Sequence, residues 1–251
     1  MKTLLLDIET APNKVYAWGL WDQNIYLDQI EEPGYTMCWA AKWLGDKKVM
    51  FAGLEDTKAK DMIKQAHDLI QEADAVVHYN GTKFDMPTLN REFISHGFPK
   101  PAPYKQIDLL KTARSQFRFP SNKLDYVTQF LGIGAKVQHK GMSLWRDCMA
   151  GDPKAWRIMK KYNIQDVNIL EGLYKRLLPW IPNHPNVALY NDDPRPVCTK
   201  CGSHHIQKRG TTHTSTMTYQ RYQCQGCGSW LRARVNNLSA EKKKALLVEA
   251  K

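Results

Sequence analysis

Long apolar runs are missing from this chain. Nowhere in its 251 residues do apolar side chains approach the ~18 consecutive positions that a membrane-spanning helix needs. A secretory leader is missing as well. Met1-Lys2-Thr3-Leu4-Leu5-Leu6 opens like one, but Asp7 and Glu9 break the run before a leader's apolar core could form. The expectation is a cytoplasmic protein with no membrane partner. Internal repeats and low-complexity tracts are absent, and 43% hydrophobic with 24% charged residues excludes a wholly disordered or collagen-like chain. Acid is scarce in the last quarter. From Arg195 to Lys251, eleven lysines and arginines face two acids, so this stretch carries +9 of the formal +11. A basic segment beside a near-neutral body suits a polyanion; a solvated tail would carry the same charge.

Hydrophobic periodicity predicts alternating elements. Residues 3–8 read as a strand, and Thr36–Trp43 with Lys48–Ala52 as a hairpin about Gly45-Asp46. Ala59–Ala73 is helical, Ala75–Tyr79 a strand, Met86–His96 a helix, Gln106–Leu110 a strand and Lys123–Leu131 a helix. Asp152-Pro153 then opens a long helix to about Leu178, with Ile158, Val167, Leu170 and Leu177 as its apolar stripe. This order predicts an α/β layer with helices on a mixed sheet. Five prolines in Pro179–Pro196 read as a linker. The domains expected are 1–178, a linker at 179–196, a small cysteine-bearing domain at 197–236 and a basic tail at 237–251.

Three acidic pieces stand out, each with an ordinary reading. Asp7 and Glu9, at i and i+2, project from one face of the first strand; alone, that is a solvated edge. His78-Tyr79-Asn80-Gly81-Thr82-Lys83-Phe84-Asp85 leaves a strand, turns, and delivers Asp85 to a helix start, where it would serve as a cap. Tyr162 and Asp166, at i and i+4, share a helix face; alone, they are a buried tyrosine beside an exposed acid.

In this order and spacing the three pieces resemble the DEDD superfamily of 3′–5′ exonucleases, the DnaQ-like branch of the ribonuclease H-like fold. Asp7 and Glu9 match its first motif, Asp85 the second and Asp166 the third. Tyr four residues before the last Asp, rather than His five before, where Lys161 stands, resembles the DEDDy subgroup. That subgroup includes ribonuclease D and the proofreading domains of family B DNA polymerases. Asn80–Pro87, Ile107-Asp108-Leu109-Leu110 and Leu124-Asp125-Tyr126 are similar to the polymerase type. The resemblance implies that Asp7, Glu9, Asp85 and Asp166 hold two Mg²⁺ or Mn²⁺ ions, while Tyr162 orients or activates the attacking water. Converging carboxylates repel and raise one another's pKa, and hard divalent cations with oxygen ligands relieve that. Thr10, Asn80 and Phe84 flank these motifs and are candidates for gripping the terminal nucleotide; Phe84 could equally be core. No polymerase motif accompanies them.

Cys198-x2-Cys201 and Cys224-x2-Cys227, each followed by Gly, have 22 residues between them. Paired knuckles of this kind are a zinc signal and resemble a zinc ribbon holding one structural Zn²⁺. Disulfides are disfavoured in a cytoplasmic chain. Cys38 and Cys148 are isolated and expected to be buried fillers. Arg209, Arg221, Arg232 and Arg234 with Tyr219, Tyr222 and Trp230 could bind nucleic acid; docking of a protein partner through the ribbon is the other role. The function expected is a metal-dependent 3′–5′ exonuclease on single-stranded DNA or DNA 3′ ends, releasing nucleoside 5′-monophosphates. Its rivals are an RNA-trimming exoribonuclease and a non-catalytic nucleic-acid-binding adaptor.

Overall fold

The computed structural model describes residues 1–249, and the chain divides into two compact units, Lys2–Tyr174 and Lys175–Lys251. In chain order the first holds β1 (Thr3–Thr10), β2 (Lys14–Val15), β3 (Ile30–Glu32), β4 (Thr36–Trp43), β5 (Met50–Gly53), α1 (Ala59–Glu72), β6 (Ala75–His78) and α2 (Asp85–Ser95). β7 (Lys105–Asp108), α3 (Leu109–Gln116), α4 (Leu124–Phe130), α5 (Met142–Met149) and α6 (Pro153–Leu177) follow. The main sheet runs β5-β4-β1-β6-β7. β1 pairs antiparallel with β4 and parallel with β6, so the sheet is mixed, as expected.

β1 is central because it can bury both faces. Leu4, Leu6 and Ile8 pack with Met62, Ile63, Ala66 and Ile70 of α1 and Met86, Leu89 and Phe93 of α2. The opposite face carries Asp7 and Glu9. Beside it, Cys38 of β4 packs with Cys148 of α5 and Trp156, Met159 and Tyr162 of α6. Cys38 and Cys148 are the buried fillers expected. A buried ion pair, Lys42 with Glu171 at 2.5 Å, joins β4 to α6. Among the described residues no helix is long and apolar enough to cross a membrane.

Three local expectations are corrected. The strand expected to reach Leu110 stops at Asp108, whose carboxylate accepts the Leu110 N–H at 3.0 Å and starts α3. The side-chain cap wins over the apolar run. α5 was not anticipated; it is short and buries only Leu144 and Cys148. Ile158 is 44% exposed; the buried face of α6 runs instead through Trp156, Met159, Tyr162, Val167 and Leu170.

In the second unit β8 (Ile206–His213), β9 (Thr218–Cys224) and β10 (Trp230–Asn236) form an antiparallel sheet, followed by α7 (Ala240–Ala245). The stretch expected as a basic tail thus contains a helix, capped by Ser239, which accepts the Lys242 N–H at 3.2 Å. Residues 250 and 251 of that stretch lie outside the described residues.

The turn after β6 sets the position of α2. Asn80 has φ +70°, and the Asp108 carboxylate accepts its N–H at 3.0 Å and that of Thr82 at 3.4 Å. Gly81 lies against the fully buried His78 ring, where a Cβ would fall 2.4 Å from the ring carbon Cγ. Gly81→Ala should therefore lower stability by about 1–3 kcal/mol through overpacking. Urea denaturation checks this, and an unchanged midpoint would mean that the turn has slack.

Candidate active site

β1 delivers the first two acids one pleat apart, with Asp7 opposite Ala40 and Glu9 opposite Cys38, just before the register slips between Glu9 and Thr10. Asp85 opens α2, but it is not the cap: Phe84 holds that position with no side-chain bond. The Asp85 carboxylate is buried and accepts the Ile8 N–H at 3.3 Å, so it reaches back to the strand residue between Asp7 and Glu9. α6 supplies Asp166 and, one turn earlier, Tyr162; both are buried, unlike the exposed acid of the ordinary reading. Oxygens of Asp7, Glu9 and Asp166 lie within 4.8 Å of one another. Asp85 stands outside that set, attached through Ile8. Thr10, Asn80 and Phe84 are partly or largely exposed. Thr10 sits at the slipped register, Asn80 in the left-handed turn, and Phe84 beside Asp85, 44% exposed rather than in the core.

Burial and mutual repulsion dominate the electrostatics. Asp7 is pushed well above the usual carboxylate range by burial, then by Glu9, Asp85 and Asp166. Burial lifts Glu9 to about 8, with Lys136 opposing and Asp166 and Asp85 adding to the rise. Burial lifts Asp85 to about 7, against the backbone N–H bonds it accepts. Asp166 is raised by burial and held back by Lys136 and the Tyr162 hydroxyl. The Tyr162 phenol is raised by burial and by Glu9 and Asp166, so it stays neutral.

Sequence reasoning missed the groups that hold these acids. The Lys136 ammonium donates to Asp166 Oδ2 and, at 3.0 Å, to the Tyr162 hydroxyl. Its loop is anchored where the Lys136 N–H meets Asp125 Oδ1 at 2.9 Å. Asn163 Nδ2 donates to Asp7 Oδ2 at 2.7 Å. No spacing marks Lys136, which lies 30 residues from its partner. Asn163 did carry a signal, its place between Tyr162 and Asp166 on a largely core-facing helix; it is fully buried, which a polar side chain tolerates only with a partner. His139 and Trp145 set their rings edge-on to Tyr162, at 4.9 and 6.1 Å between centroids.

These residues fit a hard divalent cation. Every converging donor is a carboxylate oxygen, the ligand such cations prefer. Asp166 Oδ1 is buried and lacks a hydrogen-bond partner among the described residues, the state of an oxygen aimed at something else.

In the second unit the four thiols Cys198, Cys201, Cys224 and Cys227 converge within 4.8 Å. Cys198–Cys227 and Cys201–Cys224 are each 3.6 Å apart, sulfur to sulfur. A tetrahedral zinc tetrathiolate with bonds of about 2.3 Å has edges of roughly 3.8 Å, so the spacing fits. Both knuckles close through a glycine of positive φ, Gly202 at +74° and Gly228 at +81°. Burial opposes ionisation of Cys224, but the N–H groups of Cys227 and Gly226 outweigh it and bring the thiol to about 7. The proline-rich stretch is tied to this cluster: Lys200 Nζ donates to the carbonyls of Leu178, Pro179 and Ile181 at 2.8–3.2 Å.

The family model RNase_H_2, described as RNase_H superfamily, matches residues 4–178. A similar solved structure is the family B DNA polymerase from the hyperthermophilic archaeon Pyrobaculum calidifontis, at 20% identity and a TM-score of 0.55. The match covers 71% of this chain but only 24% of the polymerase, so it bears on the fold. No curated protein matches the chain by sequence.

A pH-dependent response to cation follows. Without metal, the raised acids hold protons that the unfolded chain has released. Their stabilising contribution is complete below the unfolded carboxylate range and is lost as pH rises through about 7 and 8, the values of Asp85 and Glu9. Mg²⁺ should therefore raise Tm more above pH 8 than near about pH 6, and Asp166→Asn should shrink the increment. Equal increments at both pH values in a thermal melt would sink this account.

Proposed function

The chain belongs to the RNase H superfamily across residues 4–178, and on that premise we propose that it is a metal-dependent 3′–5′ exonuclease. The observation that carries this reading is the convergence of Asp7, Glu9 and Asp166 within 4.8 Å, with Asp85 bonded to the strand between the first two. The favoured substrate is single-stranded DNA or a DNA 3′ end, released as nucleoside 5′-monophosphates. The fold shared with a family B DNA polymerase supports DNA over RNA.

Asp7, Glu9, Asp85 and Asp166 would hold two Mg²⁺ or Mn²⁺ ions. Bound there, such ions supply Lewis acidity toward the scissile phosphate and lower the pKa of the attacking water. The remaining work belongs to the chain. Asn163 fixes the Asp7 carboxylate, and the Ile8 N–H fixes that of Asp85. Tyr162, kept neutral by burial and adjacent acids, orients water by hydrogen bonding rather than by taking its proton. Lys136 holds Tyr162 and Asp166 together and balances the charge of Asp166. Phe84 presents an exposed ring next to Asp85, suited to stacking on a terminal base, while Thr10 and Asn80 offer polar contacts to the same nucleotide. The four cysteines would hold one structural Zn²⁺, whose bonds would supply folding energy to residues 197–236.

A time course on 5′-labelled DNA and RNA of one sequence, with Mg²⁺, Mn²⁺ or EDTA, tests the reading. It should show a metal-dependent ladder shortening from the 3′ end, faster on DNA. A faster RNA ladder would make the chain an exoribonuclease, and binding without cleavage would make it an adaptor. Asp7→Ala and Asp166→Ala should each slow cleavage by on the order of 10³-fold, and Tyr162→Phe by roughly 10²-fold. Full activity in either aspartate variant would remove the site.

Lys136 is a positioning residue, so its test is the pH profile. Because the ammonium lowers the pKa of Asp7, Glu9 and Asp166, Lys136→Met should move the acidic limb of the rate profile to higher pH, and Lys136→Arg should move it most of the way back. An unmoved limb would assign Lys136 a structural role only. Elemental analysis should find one zinc per chain, lost in Cys224→Ser; a zinc-free, folded wild type would overturn the ribbon.

A further inference from the structure

The sheet of the second unit has a face that catalysis does not use. β9 places Tyr219 and Arg221 on one side, and register sets Arg232 of β10 opposite Arg221, with Trp230 two residues earlier opposite Gln223. The guanidinium of Arg221 lies over the Trp230 ring, 4.9 Å from its centroid, and that of Arg232 over the Tyr219 ring at 4.1 Å. Arg221 Nε also donates to the Arg209 carbonyl at 2.9 Å. Arg221, Trp230, Arg232 and Arg234 are exposed.

Two features make this face costly for a protein that does not use it. Like charges directly opposite across strands are destabilising, and Arg221 faces Arg232 in that way. No acid lies nearby in sequence to offset them: from Pro194 to Ala240 the chain has neither Asp nor Glu. Stacking on the rings holds each guanidinium in advance. A planar N–H edge is left for phosphate, and exposed aromatic surface is left for a base.

We propose that this face binds single-stranded nucleic acid without sequence preference, with Arg221 and Arg232 on phosphates and Trp230 and Tyr219 stacking on bases. The reading goes beyond the nuclease assignment and does not depend on it. The face lies in a different compact unit from the carboxylates.

The test is fluorescence anisotropy of 5′-fluorescein oligothymidylate and oligouridylate across a KCl series, with the full chain carrying Asp7→Ala so that probe is not consumed. Adding Arg221→Ala with Arg232→Ala should weaken binding of both probes at least ~10-fold and reduce the log–log salt slope by about 1.4, or ~0.7 for each phosphate no longer neutralised. Trp230→Ala should weaken binding roughly 5-fold or more with the slope unchanged. Arg221→Lys with Arg232→Lys should keep the slope yet lose affinity. Zinc content is measured in each variant. If the alanine pair fails to hold zinc, Trp230→Ala and the lysine pair decide. Unchanged Kd and slope in zinc-replete variants would overturn the proposal and leave the face to an acidic protein partner. A loss confined to one probe would restrict it to that sugar and overturn the general form.

The nuclease reading fails separately. Hydrolysis of thymidine 5′-(p-nitrophenyl phosphate), a probe too small to need both units, should be unaffected by the arginine pair in an otherwise wild-type chain. Its absence in the wild type would condemn the carboxylate site while leaving the anisotropy result standing.

Discussion

Repulsion among buried carboxylates is the constraint to which the first unit is built. Asp7 is half-buried, and Glu9, Asp85 and Asp166 all act on it. Bringing such charges together raises the cost of ionising each, and nothing in an apolar core would hold them there. The chain holds three of the four by different devices. Asn163 takes an Asp7 oxygen, the Ile8 N–H takes Asp85, and the Lys136 ammonium takes Asp166. The three devices come from a helix, a strand and a loop, so the arrangement survives only if those elements cannot shift. Helices pack on both faces of the sheet, and the buried Lys42–Glu171 pair ties β4 to α6.

How much of this was legible in the sequence depends on how local the physics is. Asp7 and Glu9 obey the two-residue period of a strand, and Tyr162 and Asp166 the four-residue return of a helix, so each pair could be read before any tertiary contact was known. Their joint order pointed to the family, and the alternation of strands and helices separately pointed to the mixed sheet. Lys136 obeys no period; it meets Asp166 because a loop anchored on Asp125 brings it there. Asp108 was readable as an acid within a strand, but not as the group holding the turn before Asp85. That role depends on the parallel pairing of β7 with β6, which carries no local signature. α5 escaped because an eight-residue helix burying two side chains leaves too short a pattern.

The two units present opposite electrostatic problems. The first gathers negative charge that calls for cations, while the second carries positive charge with no acid from Pro194 to Ala240. A phosphodiester chain meets both needs, because its phosphates neutralise arginines and can also engage cations held by carboxylates. On the binding proposed for the basic sheet, affinity for a strand would reside there, and the carboxylate site would be left to the chemistry.

That division bears on the chemistry available to Tyr162. A site that binds its substrate strongly through fixed positive charge would stabilise a phenolate, and the tyrosine could then serve as a base. Here burial, Glu9 and Asp166 all favour the neutral phenol, and Lys136 alone opposes them. His139 and Trp145 close around its ring, so the hydroxyl is held in place but not charged. A neutral, fixed hydroxyl can direct a water but cannot deprotonate it. On the proposed function, the acidity of that water would come from cations held by the carboxylates. On that reading, the repulsion that raises these carboxylates' pKa without cations is also what would make the reaction depend on them.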